Sequence, residues 1–467
     1  MAPIDDGPPD LTSMNLRSSV AALAVPAVLR MLLQTLVGIA ALMIVGRLSP
    51  EAIAAVGLGN RVMFFLIGSL TALTVGSTAL VAKYTGAGDA EEVSRVAGQS
   101  LLLALLAGGV IALAGILLAE PIMRAMVALQ EDVDLEVVHL GAVYIRWLVG
   151  SMFLAIVLFM SNAIFQGAGD MRTPLYIMAA VNVLNVALAY ALVLGPGPLP
   201  SFGVAGAGMA GAVARTAGGV VALALLLRGR SGVKLRAGDV FSFRPEVMSE
   251  ILRIGLPSAV ENMIRQSSQV IYTVLIAGLG TVSIAANAIT MSALSLSFMP
   301  GFGFGLAATA LVGQNLGAAK PDRAEASGYE ALRWCLYLMS LLGVLFFLFP
   351  SFIVGLYTDD PAVIDLASSC LRVIAVAQPF LAVIMTLSGG LRGAGDTRWV
   401  MYVTAAGNWG IRLVGAWLIG FRLGMGLVGV WVAMALDQAF RAGLIALRFR
   451  SGRWKTALEA RGRVSEV

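Results

Sequence analysis

Apolar residues run through this chain in long blocks, and polar residues gather between them. A helix needs about 20 apolar residues to cross the hydrocarbon core of a bilayer, and only helices or closed barrels satisfy their backbone there. Twelve blocks meet that length, near residues 18–46, 54–82, 93–118, 136–161, 174–195, 204–227, 250–278, 284–316, 327–357, 362–388, 398–420 and 426–447. The pattern predicts an all-α integral membrane protein with twelve transmembrane helices. The first, second, seventh and eighth blocks exceed one crossing, so those helices are expected to tilt, kink or run past the membrane edge.

The chain also repeats itself. Thr78-Ala79-Leu80-Val81, followed by Gly86-Ala87, returns as Thr309-Ala310-Leu311-Val312, followed by Gly317-Ala318, a shift of 231 residues. Gln166-Gly167-Ala168-Gly169-Asp170-Met171-Arg172 returns as Arg392-Gly393-Ala394-Gly395-Asp396-Thr397-Arg398 at 226, and Gly203-Val204-Ala205-Gly206 as Gly426-Leu427-Val428-Gly429 at 223. Three collinear matches with a slowly drifting offset indicate homologous halves separated by small insertions and deletions. Each half then carries six spans, an even number, so both insert the same way up. The expected organisation is a cytoplasmic N-terminal tail over 1–17, an N-lobe of six spans over 18–227, a cytoplasmic linker over 228–249, a C-lobe of six spans over 250–447 and a basic cytoplasmic tail over 448–467. Two six-helix bundles of this kind enclose a central cavity.

Charge orients the chain. Lysine and arginine collect after even-numbered spans (Lys83, Arg172, Arg228, Arg230, Lys234, Arg236, Lys320, Arg392, Arg398) and in the tail from Arg448 to Arg463. The odd-numbered loops are poorer in them and include the acidic Glu131–Glu136 stretch and Asp359-Asp360. The positive-inside rule then places both termini in the cytoplasm. These loops account for the basic balance of 32 Lys+Arg against 27 Asp+Glu, so no nucleic acid is expected as a partner. Hydrophobic residues make up 58% of the chain and charged ones only 13%. That leaves too little polar surface for a soluble fold, where about 25% of residues are charged. With one histidine and two cysteines, Cys335 and Cys370, no metal or His-based catalytic cluster is expected, and no phosphate-binding GxxxxGK[ST] loop occurs. The chain is therefore read as no enzyme, and any transport it performs must draw on an ion gradient or a separate partner. The N-terminus is polar and proline-rich and lacks the order of a cleaved signal peptide.

Two six-span halves, each with a Gly-Ala-Gly-Asp-x-Arg turn after its fourth span, resemble the MATE (multidrug and toxic compound extrusion) family. Gly255-Leu256-Pro257 opening the seventh span and Gly313-Gln314-Asn315-Leu316-Gly317 ending the eighth add to the likeness, which covers essentially the whole chain. The resemblance implies a V-shaped two-lobe transporter that exports amphipathic, cationic small molecules in antiport with H+ or Na+ by alternating access. It needs no cofactor beyond that ion. A monomer in contact with membrane lipids, in a bacterial inner (plasma) membrane, is the expected setting. The alternative within the same superfamily is a flippase for lipid-linked oligosaccharides or lipids, which a cavity rich in arginine would favour.

Ionisable residues inside a membrane are costly and face a cavity or a partner. The seventh span holds the densest set: Glu261, Asn262, Arg265, Gln266 and Gln269. Glu261, Arg265 and Gln269 share one helical face, expected to line the substrate cavity. Glu261 is the expected carrier of the coupling ion, the one place where Na+ could bind. Arg265 would either switch its protonation or form a lasting ion pair with it. Pro257, and Pro26 in the first span, supply hinges. At the 231 shift Arg30 answers Glu261 and Gln34 answers Arg265, so Arg30 could latch to Glu261 across the cleft. Asp437, in the last span, is either a second ion ligand or a structural partner of Arg412 or Arg215. Asn182 and Asn408, matched at 226, could line the cavity or bond between helices. Tyr272 offers an aromatic face to an organic cation. The chain departs from the family's pattern in its acids: none lies in the first span or within the tenth, and Arg265 stands about where a deeper acid of the seventh would fall. The family's coupling residues therefore do not carry over directly.

Overall fold

A computed structural model of the protein describes residues 11–127, 135–195 and 200–457; Glu131, Asp132, Asp134 and the ends of both expected tails lie outside them. The described chain is helical throughout. In order come α1 (Leu16–Val45), α2 (Pro50–Ser69), α3 (Thr71–Gly86), α4 (Ala90–Val127), α5 (Leu135–Gly150), α6 (Met152–Gly167), α7 (Arg172–Leu194) and α8 (Gly203–Leu227). There follow α9 (Ala237–Phe241), α10 (Pro245–Ala277), α11 (Thr281–Gly317), α12 (Pro321–Leu348), α13 (Pro350–Gly355), α14 (Pro361–Gly393), α15 (Thr397–Ala405) and α16 (Gly426–Arg450). Between α15 and α16 the backbone widens into two π-helical stretches, Ala406–Leu413 and Ala416–Arg422.

Nine of these helices are long and apolar enough to cross a bilayer, and the bent pair α5–α6 makes a tenth. The chain is an integral membrane protein. The remaining two expected crossings are α10, whose apolar run is broken by the polar set from Glu261 to Gln269, and the segment 397–422, broken by its π-helical turns. Several predicted spans are interrupted. The second splits at Leu70 into α2 and α3, and the fourth bends by 56° between α5 and α6. A glycine–serine pair lies at each break, Gly68-Ser69 just before Leu70 and Gly150-Ser151 between α5 and α6, the local sequence that tolerates a kink in place of proline. Proline does the same work at Pro350, which opens α13 after α12 ends. Side chains fix some starts: Ser49 accepts from the Ala52 amide, and Asp360 from those of Ala362 and Val363.

The chain divides into two compact units. The first is built on Leu29–Thr85 and Asp89–Arg253; the second takes the chain from Ile254 onward, with the start of α1 up to Val28 and Gly86–Gly88. Residues of the expected linker are tied to the first unit. Asp239 accepts from Ser94 Oγ at 2.7 Å, Gln99 Nε2 donates to the Asp239 carbonyl at 2.7 Å, and Ser231 Oγ donates to Asp170.

Each motif of the repeat recurs as backbone geometry. Gly169 and Gly395, in the two Gly-Ala-Gly-Asp turns, both take positive φ (85° and 75°), as do Gly203 and Gly426 (55° and 57°). The third pair is Gly88 (73°) and Ala319 (55°), where the second half holds a left-handed turn with a side chain present. Inside the first unit Thr78 Oγ1 donates to the Ala163 carbonyl at 3.0 Å, and inside the second Thr309 Oγ1 donates to the Gly389 carbonyl at 2.9 Å. Glycine permits both close approaches: a Cβ at Gly167 would lie 2.7 Å from the Thr78 oxygen, and one at Gly393 2.2 Å from the Thr309 oxygen.

Candidate functional site

The deep charges of the second unit begin on α10. Pro257 lies inside this helix of 33 residues and has no N–H to give the carbonyl one turn back, which weakens the helix just before its polar face. One turn on, Glu261 is buried, with 4% of its surface exposed. Arg392 Nη2 donates to both its oxygens, at 2.8 and 2.9 Å, and Thr404 Oγ1 donates to Oε1 at 3.4 Å. Arg392 comes from the glycine-rich turn closing α14 and Thr404 from α15, so the carboxylate ties three elements together. The lasting ion pair that was one reading of Arg265 is not formed, since Glu261 pairs with Arg392. Arg265 instead donates to Asn262 Oδ1 at 2.7 Å on its own helix. A one-turn separation allows contact, but the turn after α14 offers Glu261 a guanidinium placed for two bonds.

The second acid, Asp437 on α16, is fully buried and held by two arginines. Arg412, in the first π-helical stretch, reaches Oδ2 with Nε at 3.0 Å and Nη2 at 2.7 Å. Arg441, one turn along α16, reaches Oδ1 with Nε at 2.8 Å and Oδ2 with Nη2 at 2.8 Å. Of the partners expected for Asp437, Arg412 is present; Arg441 was not foreseen, although its i+4 spacing from Asp437 within an apolar block is a readable signal. Gly407 lets the backbone close on this group, since a Cβ there would lie 2.3 Å from Asp437 Oδ1 and 2.6 Å from Arg441 Cδ. The neighbouring Asn408 is fully buried and neither atom of its amide has a partner among the described residues.

The remaining expected residues are dispersed. Tyr272 is fully buried against α16 and donates its hydroxyl to the Val430 carbonyl at 3.2 Å, so its ring belongs to the packing of the second unit. Gln266 and Gln269 are half-buried. In the first unit Gln34 is exposed and Asn182 is buried with its Nδ2 unpartnered; Pro26, in the part of α1 that belongs to the second unit, is buried. Arg30 is buried with no hydrogen bond or ion pair among the described residues. An open crevice on this unit, lined by Trp147, Ser151, Val213 and Thr216, takes in none of the expected cavity residues. The turn aspartates are structural: Asp170 accepts from the amides of Arg172 and Thr173, and Asp396 from Arg448 Nε at 2.7 Å.

No three His, Cys, Asp or Glu side chains converge among the described residues. A sodium ion at Glu261 would meet one carboxylate and the Thr404 hydroxyl, and it would have to displace Arg392. This donor set is oxygen-only, as Na+ prefers, but sparse.

The family model MatE matches residues 26–191 and again 257–418, and the two stretches begin 231 residues apart, the shift of the first repeat motif. The probable multidrug resistance protein NorM of Thermotoga maritima is 32% identical over 97% of this chain and 96% of its own length. The multidrug resistance protein PmpM of Pseudomonas aeruginosa is 28% identical over 92% of this chain and 91% of its own. Among solved structures, one described as MATE in the bent conformation superposes with a TM-score of 0.88 at 24% identity, covering 96% of this chain and 98% of the other. An outward-facing multidrug resistance MATE transporter of the MOP superfamily gives 0.86 at 24%, covering 95% and 98%. That fold is one of twelve spans in two lobes. A model that fits twice, at the spacing the chain's own repeat sets, together with a relative that is similar from end to end, makes this chain a member of the MatE family of membrane transporters.

Proposed function

We propose that the protein exports amphipathic small molecules in antiport with H+ or Na+, by alternating access of its two lobes, and that Glu261 carries the coupling ion. The single observation that supports this is the asymmetry between its two deep acids. Asp437 accepts three hydrogen bonds from two guanidiniums, with Arg412 Nη2 also at ion-pair distance, so a proton or cation arriving there must break a doubly held pair. Glu261 is held by one guanidinium and one hydroxyl, beside the helix weak point at Pro257. Bending at Pro257 would withdraw Glu261 from Arg392 and leave the carboxylate to take an ion; straightening would return it. Asp437 in this reading anchors the bundle, with Arg412 and Arg441 as its counter-charges. Pro26 is the matching hinge of the first half, while Arg30, Gln34, Asn182, Asn262, Arg265, Gln266, Gln269 and Asn408 are the polar groups a substrate would meet. The names of the relatives favour drug efflux over the oligosaccharide-flippase alternative. The cation preference implied by the family resemblance would need an acid free to meet the substrate, and both deep acids are ion-paired, so the proposal extends to amphipaths in general. The setting is a monomer in a bacterial inner membrane, surrounded by lipid, with both termini in the cytoplasm.

The test is efflux from proteoliposomes under an imposed proton or sodium gradient, comparing the native protein with Glu261→Gln. The variant is expected to lose gradient-driven efflux while still binding substrate. Efflux that responds to the gradient as the native protein does would remove Glu261 from the coupling role.

A further inference from the structure

Positive charge exceeds negative charge inside the second unit. Its deep acids are Glu261 and Asp437; the arginines beside them are Arg392, Arg412, Arg441 and Arg265. Guanidinium does not give up its proton in proteins, so this group of side chains carries two more positive charges than negative ones. Three of the arginines are taken up by the two carboxylates. Arg265 is not: its one hydrogen-bond acceptor is the neutral amide of Asn262, at 2.7 Å, which leaves most of its five donors without an acceptor. Arg412 and Arg441 are buried, whereas Arg265 keeps part of its surface open. Asn408, one helical turn from Arg412 on the same π-helical stretch, adds a fully buried amide with both atoms unpartnered. In the first unit Arg30 is likewise buried without a hydrogen bond or ion pair among the described residues. A charge taken out of water persists when something neutralises it, and a planar fork of donors is matched by a carboxylate or a phosphate.

We propose that Arg265 binds an anionic group, a carboxylate or a phosphate monoester, on the amphipathic molecule that this protein transports. The transport itself rests on the function proposed above; the anion preference rests on the arginine excess alone. The substrate class is then anionic or zwitterionic amphipaths, whose acidic head supplies the charge the bundle lacks and whose apolar body meets the surrounding apolar helices. Asn262 holds the guanidinium in place, and Glu261 with Arg392 remains free to exchange its ion.

The experiment uses the full chain in nanodiscs of phosphatidylcholine, a lipid with no net charge. It titrates two dansyl amphipaths of equal length, one ending in a carboxylate and one in a trimethylammonium group. The carboxylate probe is expected to bind about tenfold more tightly, the size of one charge-assisted hydrogen-bonded contact, and Arg265→Gln to erase that preference. Arg265→Lys, which keeps the charge without the fork, is expected to retain part of it. Arg124→Gln on α4, a salt-bridged arginine of the other unit, is expected to change nothing. If Arg265→Gln does not fold, the probe ratio of the native protein and of Arg265→Lys decides. Equal binding of the two probes, or tighter binding of the ammonium probe, overturns the proposal. So does saturable chloride binding without selection for the carboxylate probe, which would make the surplus charge a site for a structural counter-ion. Carboxylate selectivity without gradient-driven efflux would sink the transport reading and keep the anion site; efflux of cations without carboxylate binding would do the reverse.

Discussion

The two halves share turns, helix contacts and internal hydrogen bonds, yet they treat charge differently. Thr78 and Thr309 reach equivalent carbonyls, and Gly167 and Gly393 admit the same close approach. Among the described residues, the buried ion network lies in the second half. At the shifts of the repeat, Glu261 answers to Arg30, Arg392 to Gln166, Thr404 to Met178, Asp437 to Ala214 and Arg441 to Gly218. Around Gly218 the packing is apolar and tight, with a notional Cβ 2.3 Å from Val181 Cγ2. Scaffold positions are duplicated because both halves must close the same backbone. Charged positions are not, because a buried ion pair is a poor source of stability and survives where it serves another purpose.

Removing one side of the network should have the largest effect on stability. Asp437→Asn leaves Arg412 and Arg441 facing each other without a counter-charge, and breaking a buried pair in this way costs about 3–5 kcal/mol. A large fall in melting temperature, followed by tryptophan fluorescence in detergent, is expected. An unchanged melt would mean that the network contributes nothing to the C-terminal half. Next come the paired glycines. Gly393→Ala and Gly167→Ala should each destabilise by about 1–3 kcal/mol through overpacking, with Gly393→Ala worse because its carbonyl neighbour is nearer. The reverse order in the same melting assay would break the equivalence of the two contacts. Thr78→Val and Thr309→Val should then cost about 1 kcal/mol each, and should match, since each loses one buried hydrogen bond. The smallest effect tests the one turn in which the halves differ. Gly88→Ala should destabilise by about 1 kcal/mol, and Ala319→Gly should change stability by less, in the opposite direction, because relief at positive φ is offset by a looser unfolded chain.

Much of the architecture is legible from sequence because lipid imposes one strong rule: every crossing must be a long apolar helix. The breaks were harder to read. Leu70 and Ser151 sit in apolar surroundings, and the cue was a glycine–serine pair inside a block already assigned to one span. Glu261 and Asp437 stand out in sequence as rare deep acids. Their partners do not, because Arg392 lies 131 residues from Glu261 and within a turn whose partner in the first half is structural. The turn motif gave no sign that its first residue would reach back to a different helix.

Local chemistry, then, determined what the sequence alone could determine: the helical membrane class, the repeat at drifting offsets, the charge asymmetry of the loops and the short list of buried ions. These follow from composition and period, which act on neighbours along the chain. Tertiary structure alone decided which arginine meets which acid, and so which carboxylate is doubly locked and which can exchange an ion. It also left Arg265 without an acid. Pairing depends on distances between helices far apart in sequence, and inside a membrane an ångström decides whether two charges neutralise each other or one of them stays available to a ligand.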